Sequence, residues 1–310
     1  MQSRELKTLW LTQIGTPKNY CFEKKLHLVR KIDHADFDGE LYLQACGPNR
    51  LQKLLKLFPK KQTKPLPAVA VPFYHPDGMV GFELETGKQL ERFLGKTIAL
   101  DLVKRGFVTV TADVYPFHFD ADSCDLNNFH CPFSRYAQFQ SWADAGKQIV
   151  ARFPEWTGIG KLVADTKLLL DTLSEDERVD ASLIGIAGHS LGGKMAFYAG
   201  CLDSRVKVIL ASDFGMGWDS TNWSEVWYWG DKLASMKQLG IDHSHLLTAS
   251  GGTPFMLIAG EADNEASIDL MHKAEGYEDL SRLICINHAT GHNPPRYALE
   301  QGYQFLEKWL

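Results

Sequence analysis

From Ala68 onward, short apolar runs alternate with longer amphipathic stretches. AVAVPFY (68–74), FVTVTAD (107–113), SLIGIAG (182–188), VKVILAS (206–212), PFMLIAG (254–260) and RLICIN (282–287) are compact and largely apolar, the pattern of strands buried on both faces. Between them lie amphipathic stretches near 86–105, 158–173, 191–202, 265–276 and 295–309, which predict helices. Strand–helix alternation of this kind builds parallel crossovers. The fold class expected is therefore α/β: a doubly wound, mostly parallel sheet of about eight strands with helices on both faces. Ahead of this region, the first ~20 residues read as a short helix. Residues 26–32 (LHLVRKI) and 40–46 (ELYLQAC) alternate as two strands around the Asp-rich turn HADFDGE. The basic stretch KLFPKKQTKPLP reads as a solvated linker. With no internal repeat, residues 1–310 are expected to form one domain, with 1–65 as an N-terminal helix and antiparallel edge hairpin.

Composition narrows the partners. The chain has 310 residues, 45% of them hydrophobic, and a net charge of −5 with both signs interspersed. This gives no footprint for nucleic acid and no polybasic segment for a membrane surface. A small-molecule partner is favoured, and oligomeric state is not legible. Neither a signal-peptide core at the amino terminus nor a run of ~18 apolar residues is present in the sequence. The six cysteines are scattered without CxxC spacing and read as reduced, which points to the cytoplasm.

The chemistry centres on Gly188-His189-Ser190-Leu191-Gly192, followed by Gly193, where an apolar strand meets a helix. A nucleophile on this G-x-S-x-G pattern must sit on a sharp turn, and bulky neighbours would clash with nearby backbone. Ser190 is thereby lifted above the sheet at a helix amino terminus, where the Leu191 N–H can face developing negative charge. A serine hydroxyl needs a histidine to take its proton, and that histidine needs an acid to fix its tautomer.

The motif in its strand–turn–helix context resembles the α/β-hydrolase family over roughly residues 67–310. In that family the triad runs Ser, acid, His along the chain. The resemblance implies Asp263 as the acid, in the turn Gly260-Glu261-Ala262-Asp263 after the strand PFMLIAG, with Asp213 after VKVILAS as the alternative. It implies His292, in HATGHNPP, as the base, with His288 bonding within its loop and His189 turned away from the chemistry. The second half of the oxyanion hole is expected from the loop Pro72-Phe73-Tyr74-His75, with Tyr74 chosen. Many relatives carry His-Gly there.

Between Asp213 and Gly252 lies an insertion with four of the chain's eight tryptophans within twelve residues. At this end of the sheet such a segment covers the site like a lid, and Trp218, Trp223 and Trp227 are its candidate substrate-binding residues. PFYHPDGMVG, KRGFVTVTADV, GHSLGGKMAF and NWSEVWYWG together resemble a dienelactone-hydrolase-like or acetyl-xylan-esterase-like branch. That implies cleavage of carboxylic esters, some carbohydrate-linked, through an acyl-enzyme. Acyl transfer, peptide hydrolysis or a non-catalytic binding role on the same residues are the alternatives. The loop FHFDADSCDLNNFHCPFSRYAQF carries His118, Asp120, Asp122, Cys124, His130, Cys131 and Arg135. It mixes hard and soft ligand types without a recognised spacing, so no metal and no cofactor are expected.

Overall fold

The computed structural model describes residues 2–15, 22–123 and 142–310. Cys21, Cys124, His130, Cys131 and Arg135 lie outside the described residues.

The apolar runs form strands whose alternate side chains enter opposite cores. The strands are β1 (Leu26–Asp33), β2 (Phe37–Gly47), β3 (Arg50–Pro59), β4 (Leu66–Ala70), β5 (Val108–Ala112), β6 (Phe119–Asp120), β7 (Val179–His189), β8 (Val206–Ser212), β9 (Phe255–Ala259) and β10 (Leu283–Asn287). They join one sheet in the order β1-β2-β3-β5-β4-β7-β8-β9-β10, with β6 added on β3. From β5 to β10 neighbouring strands are parallel, while β1, β2 and β3 pair antiparallel with one another and with β5. Along β9, Phe255, Leu257 and Ala259 pack into one core while Met256 and Ile258 enter the other. A strand covered on both sides has no polar face to show.

Helices α1 (Ser3–Ile14), α4 (Trp142–Arg152), α5 (Gly158–Ser174), α6 (Leu191–Leu202) and α8 (His243–Ala249) contribute to the first core. Helices α2 (Pro76–Val80), α3 (Ile98–Lys104) and α10 (Arg296–Trp309) contribute to the second. Two further helices, α7 (Lys232–Gln238) and α9 (Glu265–His272), complete the described set. None of them is long and apolar enough to cross a membrane. The chain leaves β4 for β5 on one side and returns to β7 on the other. The loops after β4 and β7 thus open side by side at a topological switch point, the usual place for a ligand crevice in open α/β sheets.

Two segments depart from their sequence pattern. The start of the stretch that reads as a basic linker, residues 56–59, instead ends strand β3, where the lysines are paired inside the protein. Lys53 Nζ lies 2.5 Å from Asp77 Oδ2, and Lys56 Nζ lies 2.8 Å from Asp176 Oδ2. The stretch 86–105 is α-helical only over α3, with a single 3-10 turn at Glu91–Phe93. Before it, the chain doubles back at Thr86–Gly87, with Phe82 opposite Gln89 and the Glu83 N–H donating to the Lys88 carbonyl at 2.8 Å.

Four buried histidines remain neutral in the fold. Burial pushes His75, His189 and His243 down to about 3 and holds His118 well below its ordinary range. In the unfolded chain each takes up a proton below about pH 6.5, so unfolding binds protons there and stability is lost as pH falls. Asp165 works the other way. Burial lifts it to about 6 against the attraction of Lys161, so between 6 and 3.8 it holds its proton more tightly in the fold. The neutral rings outnumber the carboxyls that burial raises, Asp165 and Asp263, so stability is predicted to fall between pH 7 and pH 5. Urea unfolding at pH 7, 6 and 5 measures it; a flat or rising stability toward pH 5 would contradict the burial of these neutral rings.

Candidate active site

Ser190 sits between β7 and α6 with φ 57° and ψ −119°, a conformation that non-glycine residues rarely adopt. The surrounding backbone holds it there. The Ser190 N–H donates to the Ser212 carbonyl at 2.8 Å, and the Ser190 carbonyl accepts from the Lys194 N–H at 3.0 Å. A Cβ on Gly188 would fall on the Gly192 carbonyl, and one on Gly192 would fall on the Pro72 carbonyl. The glycines of the motif are thus required by close approach, and the second approach clamps the serine turn against the loop carrying Tyr74. Leu191 opens α6, so its N–H is among the helix donors without an intrahelical acceptor.

His292 reaches over from the loop between β10 and α10. Its Nε2 lies 2.9 Å from Ser190 Oγ and its Nδ1 lies 2.6 Å from Asp213 Oδ2. Asp213 follows β8 with φ 41°, and its carboxylate is fully shielded from solvent. The other oxygen, Oδ1, accepts from the N–H groups of Gly260, Ala262 and Asp263 at 3.0, 2.8 and 3.2 Å. One oxygen is therefore locked by backbone, and the other is aimed at the imidazole.

Asp263, the acid preferred on sequence grounds, does not face His292. Its carboxylate accepts from Phe214 and Gly215 N–H at 2.9 and 3.0 Å through Oδ2, and from Met216 N–H at 2.6 Å through Oδ1. Both of its oxygens are occupied in shaping the turn that presents Asp213. Burial raises its pKa, and the backbone donors of Met216 and Gly215 oppose that rise. The carboxylate that meets His292 is thus the one at the end of β8 rather than the one after β9.

Tyr74 comes to Ser190 through its side chain: the phenol hydrogen-bonds with Ser190, and burial raises its pKa. A backbone role was the one read from the loop sequence. Phe73 braces the Tyr74 ring edge-on, with centroids 4.6 Å apart. Next along the loop, His75 is committed to structure, its Nδ1 accepting from the Gly78 N–H at 3.1 Å to cap α2. His288 bonds within its loop, to Thr290 Oγ1 at 2.8 Å. His189 is closer to the chemistry than its position suggests. Its ring centroid lies 4.7 Å from that of His292, and its Nδ1 lies 3.1 Å from Ser212 Oγ, so an uncharged ring backs His292.

Two of the three candidate tryptophans spend their indole N–H on backbone carbonyls of the insertion, Trp223 from a buried and Trp218 from a partly buried ring. Trp223 is fully buried and donates to the Gly215 carbonyl at 2.7 Å; Trp218 donates to the Ile241 carbonyl at 2.9 Å and lies 4.0 Å from the His243 ring. With Trp10 and Trp229 they form an aromatic knot that fastens the insertion to α1. Trp227 is half-buried and hydrogen-bonds with the Tyr228 phenol, whose own environment includes Tyr74. Lys194, four residues after the serine, is sandwiched between the rings of Trp223 and Tyr228 at 4.0 and 4.1 Å. It donates to Thr221 Oγ1 and Asn222 Oδ1 at 2.8 and 3.1 Å, and burial pushes its pKa down to about 7. The elbow helix and the insertion are therefore tied together.

In the loop after β5, His118 is buried, its Nδ1 3.2 Å from Cys46 Sγ. Sequence reading missed Lys96, whose Nζ donates to Asn293 Oδ1 at 2.8 Å beside His292. Within a presumed amphipathic helix it looked like one more solvated charge.

A serine on a strained strand-to-helix turn, at the switch point of a doubly wound sheet, gives the chain the α/β-hydrolase fold. No protein-family model and no curated protein matches it. Among solved structures it is similar to a glucuronoyl esterase from Solibacter usitatus, with TM-score 0.72 and 15% identity over 98% of this chain and 91% of that one. It is similar also to a CE15 glucuronoyl esterase from Teredinibacter turnerae, with TM-score 0.68 and 18% identity over 98% and 83% of the two chains. A third is acetyl xylan esterase 1 from a Thermoanaerobacterium species, with TM-score 0.60 and 14% identity over 99% and 93%.

The two aspartates are expected to separate cleanly on mutation. Asp213→Asn should lower turnover by about 10⁴-fold, as loss of the tautomer-fixing acid does. Asp263→Asn should instead lower the unfolding free energy by about 1–3 kcal/mol, the cost of leaving buried donors unpaired. Steady-state kinetics and urea unfolding on both variants make the comparison; full activity in Asp213→Asn would remove it from the triad.

Proposed function

We propose that the protein is a serine esterase that cleaves small carboxylic esters, including carbohydrate-linked ones, through an acyl-enzyme. The observation that carries this reading is the unbroken hydrogen-bonded line from Ser190 through His292 to Asp213. His292 takes the hydroxyl proton as Ser190 attacks the ester carbonyl, and Asp213 holds Nδ1 in place and offsets the imidazolium charge. The Leu191 N–H and the Tyr74 phenol stabilise the tetrahedral oxyanion, a backbone donor and a side-chain donor converging from the two loops that the glycines press together. His292 then returns the proton to the leaving alcohol, and water attacking by the same route releases the acid. No part of this sequence requires a cofactor.

The carbohydrate-linked class is supported by the names of the structural neighbours, esterases of glucuronoyl and acetyl xylan groups. Trp227 is our candidate to meet a substrate, since it is partly exposed and its partner Tyr228 feels the charge of Tyr74. A cytoplasmic location belongs to the same proposal, supported by the free thiols of Cys46, Cys201 and Cys285.

Labelling with a fluorophosphonate followed by peptide mapping tests the reading, together with hydrolysis of 4-nitrophenyl acetate and butyrate. Modification is expected at Ser190, with turnover falling at least about 10³-fold in Ser190→Ala. A folded protein that neither labels nor turns over either ester would overturn it.

A further inference from the structure

The segment between α2 and α3 brings two cations to the serine. Arg92 lies over the Phe93 ring, its Cζ 4.5 Å from the centroid, and that ring stands edge-on to Phe73 and His75 at 5.8 and 5.1 Å. Its charge acts directly on Tyr74, the residue whose phenol meets Ser190. Lys96, one turn further on, is half-buried, held by Asn293 next to His292, and its charge acts on His189. One cation therefore stands on the Tyr74 side of Ser190 and the other on the His292 side.

Elsewhere several arginines are answered by acids: Arg105 pairs with Glu300 and Glu307, Arg178 with Glu40 and Asp176, Arg205 with Asp171 and Asp203, and Arg296 with Asp101. Among the described residues, Arg92 and Lys96 have no carboxylate partner. In a chain with net charge −5, two positive charges thus stand beside the site without a carboxylate partner among the described residues. Such a local field draws and orients an anion.

We propose that Arg92 and Lys96 form a carboxylate-recognition site beside Ser190, so that the preferred substrate is an ester bearing one further ionised carboxyl group. The charge count favours a single carboxylate. One resident anion plus the oxyanion formed at Ser190 balances two cations, and the flat guanidinium of Arg92 matches the two oxygens of a carboxylate. The inference rests on the esterase reading and specifies its substrate class.

The test compares kcat/KM for matched ester pairs, corrected for uncatalysed hydrolysis. On the acyl side, mono-4-nitrophenyl adipate is set against its primary-amide isostere. On the alcohol side, 4-acetoxybenzoate is set against 4-acetoxybenzamide. Wild type is expected to prefer the anion by about tenfold in one arm, which also locates the carboxylate relative to the scissile bond. The preference should shrink with added salt and fall to near one in Arg92→Gln/Lys96→Gln. It should survive in the charge-conserving Arg92→Lys/Lys96→Arg swap, a rescue that a purely structural role would not produce. A ratio at or below one in both wild-type arms, or a ratio unchanged in the double Gln variant, overturns the proposal. If wild type cleaves the amide isosteres without charge discrimination, this inference alone fails. Failure to cleave any of the four esters overturns the esterase reading and this one with it.

Discussion

The site depends on a reciprocal exchange between two aspartates at neighbouring strand ends. Asp213, after β8, takes the backbone N–H groups of the 260–263 turn, and Asp263, after β9, takes those of the 214–216 turn. Each carboxylate shapes the loop that presents the other. Only Asp213 has an oxygen left over, and that oxygen holds His292. Two buried like charges at neighbouring strand ends would repel, but six backbone donors spread between them supply the compensation that burial demands. Asp213 can afford its left-handed backbone because its turn is determined from both sides.

The same logic of close constraint governs Ser190. Glycine at 188 and 192 lets the elbow press on the β4 loop, which carries the Tyr74 phenol to the hydroxyl. On the far side, Lys194 binds the elbow helix to the aromatic knot of the insertion. The tryptophans serve the site mainly by anchoring that insertion. His189 contributes by staying uncharged next to His292, so that no second imidazolium competes for the field of Asp213.

Much of this was legible in the sequence, for identifiable reasons. Strands β4, β8 and β9 and the C-terminal half of β7 are buried on both faces, so their apolar runs stand out, and the serine motif falls where such a run meets a helix. Strand β3 was hidden because Lys53 and Lys56 are buried through ion pairs with Asp77 and Asp176, residues remote in sequence. The choice between Asp213 and Asp263 was hidden for a similar reason. Both follow apolar strands, and what separates them is which has a carboxylate oxygen free, a property of folded turns. Tyr74 was singled out for its backbone, whereas the direction of its phenol is set by Phe73 and the packed elbow.

The central claim is that His292 is held between Ser190 and Asp213. Proton NMR of the native protein reads it directly, since an imidazole N–H donated to a buried carboxylate at 2.6 Å is strongly deshielded and slow to exchange. The account predicts a far-downfield resonance that disappears in Asp213→Asn and in His292→Ala but persists in Asp263→Asn. A resonance retained in Asp213→Asn and lost in Asp263→Asn would contradict it.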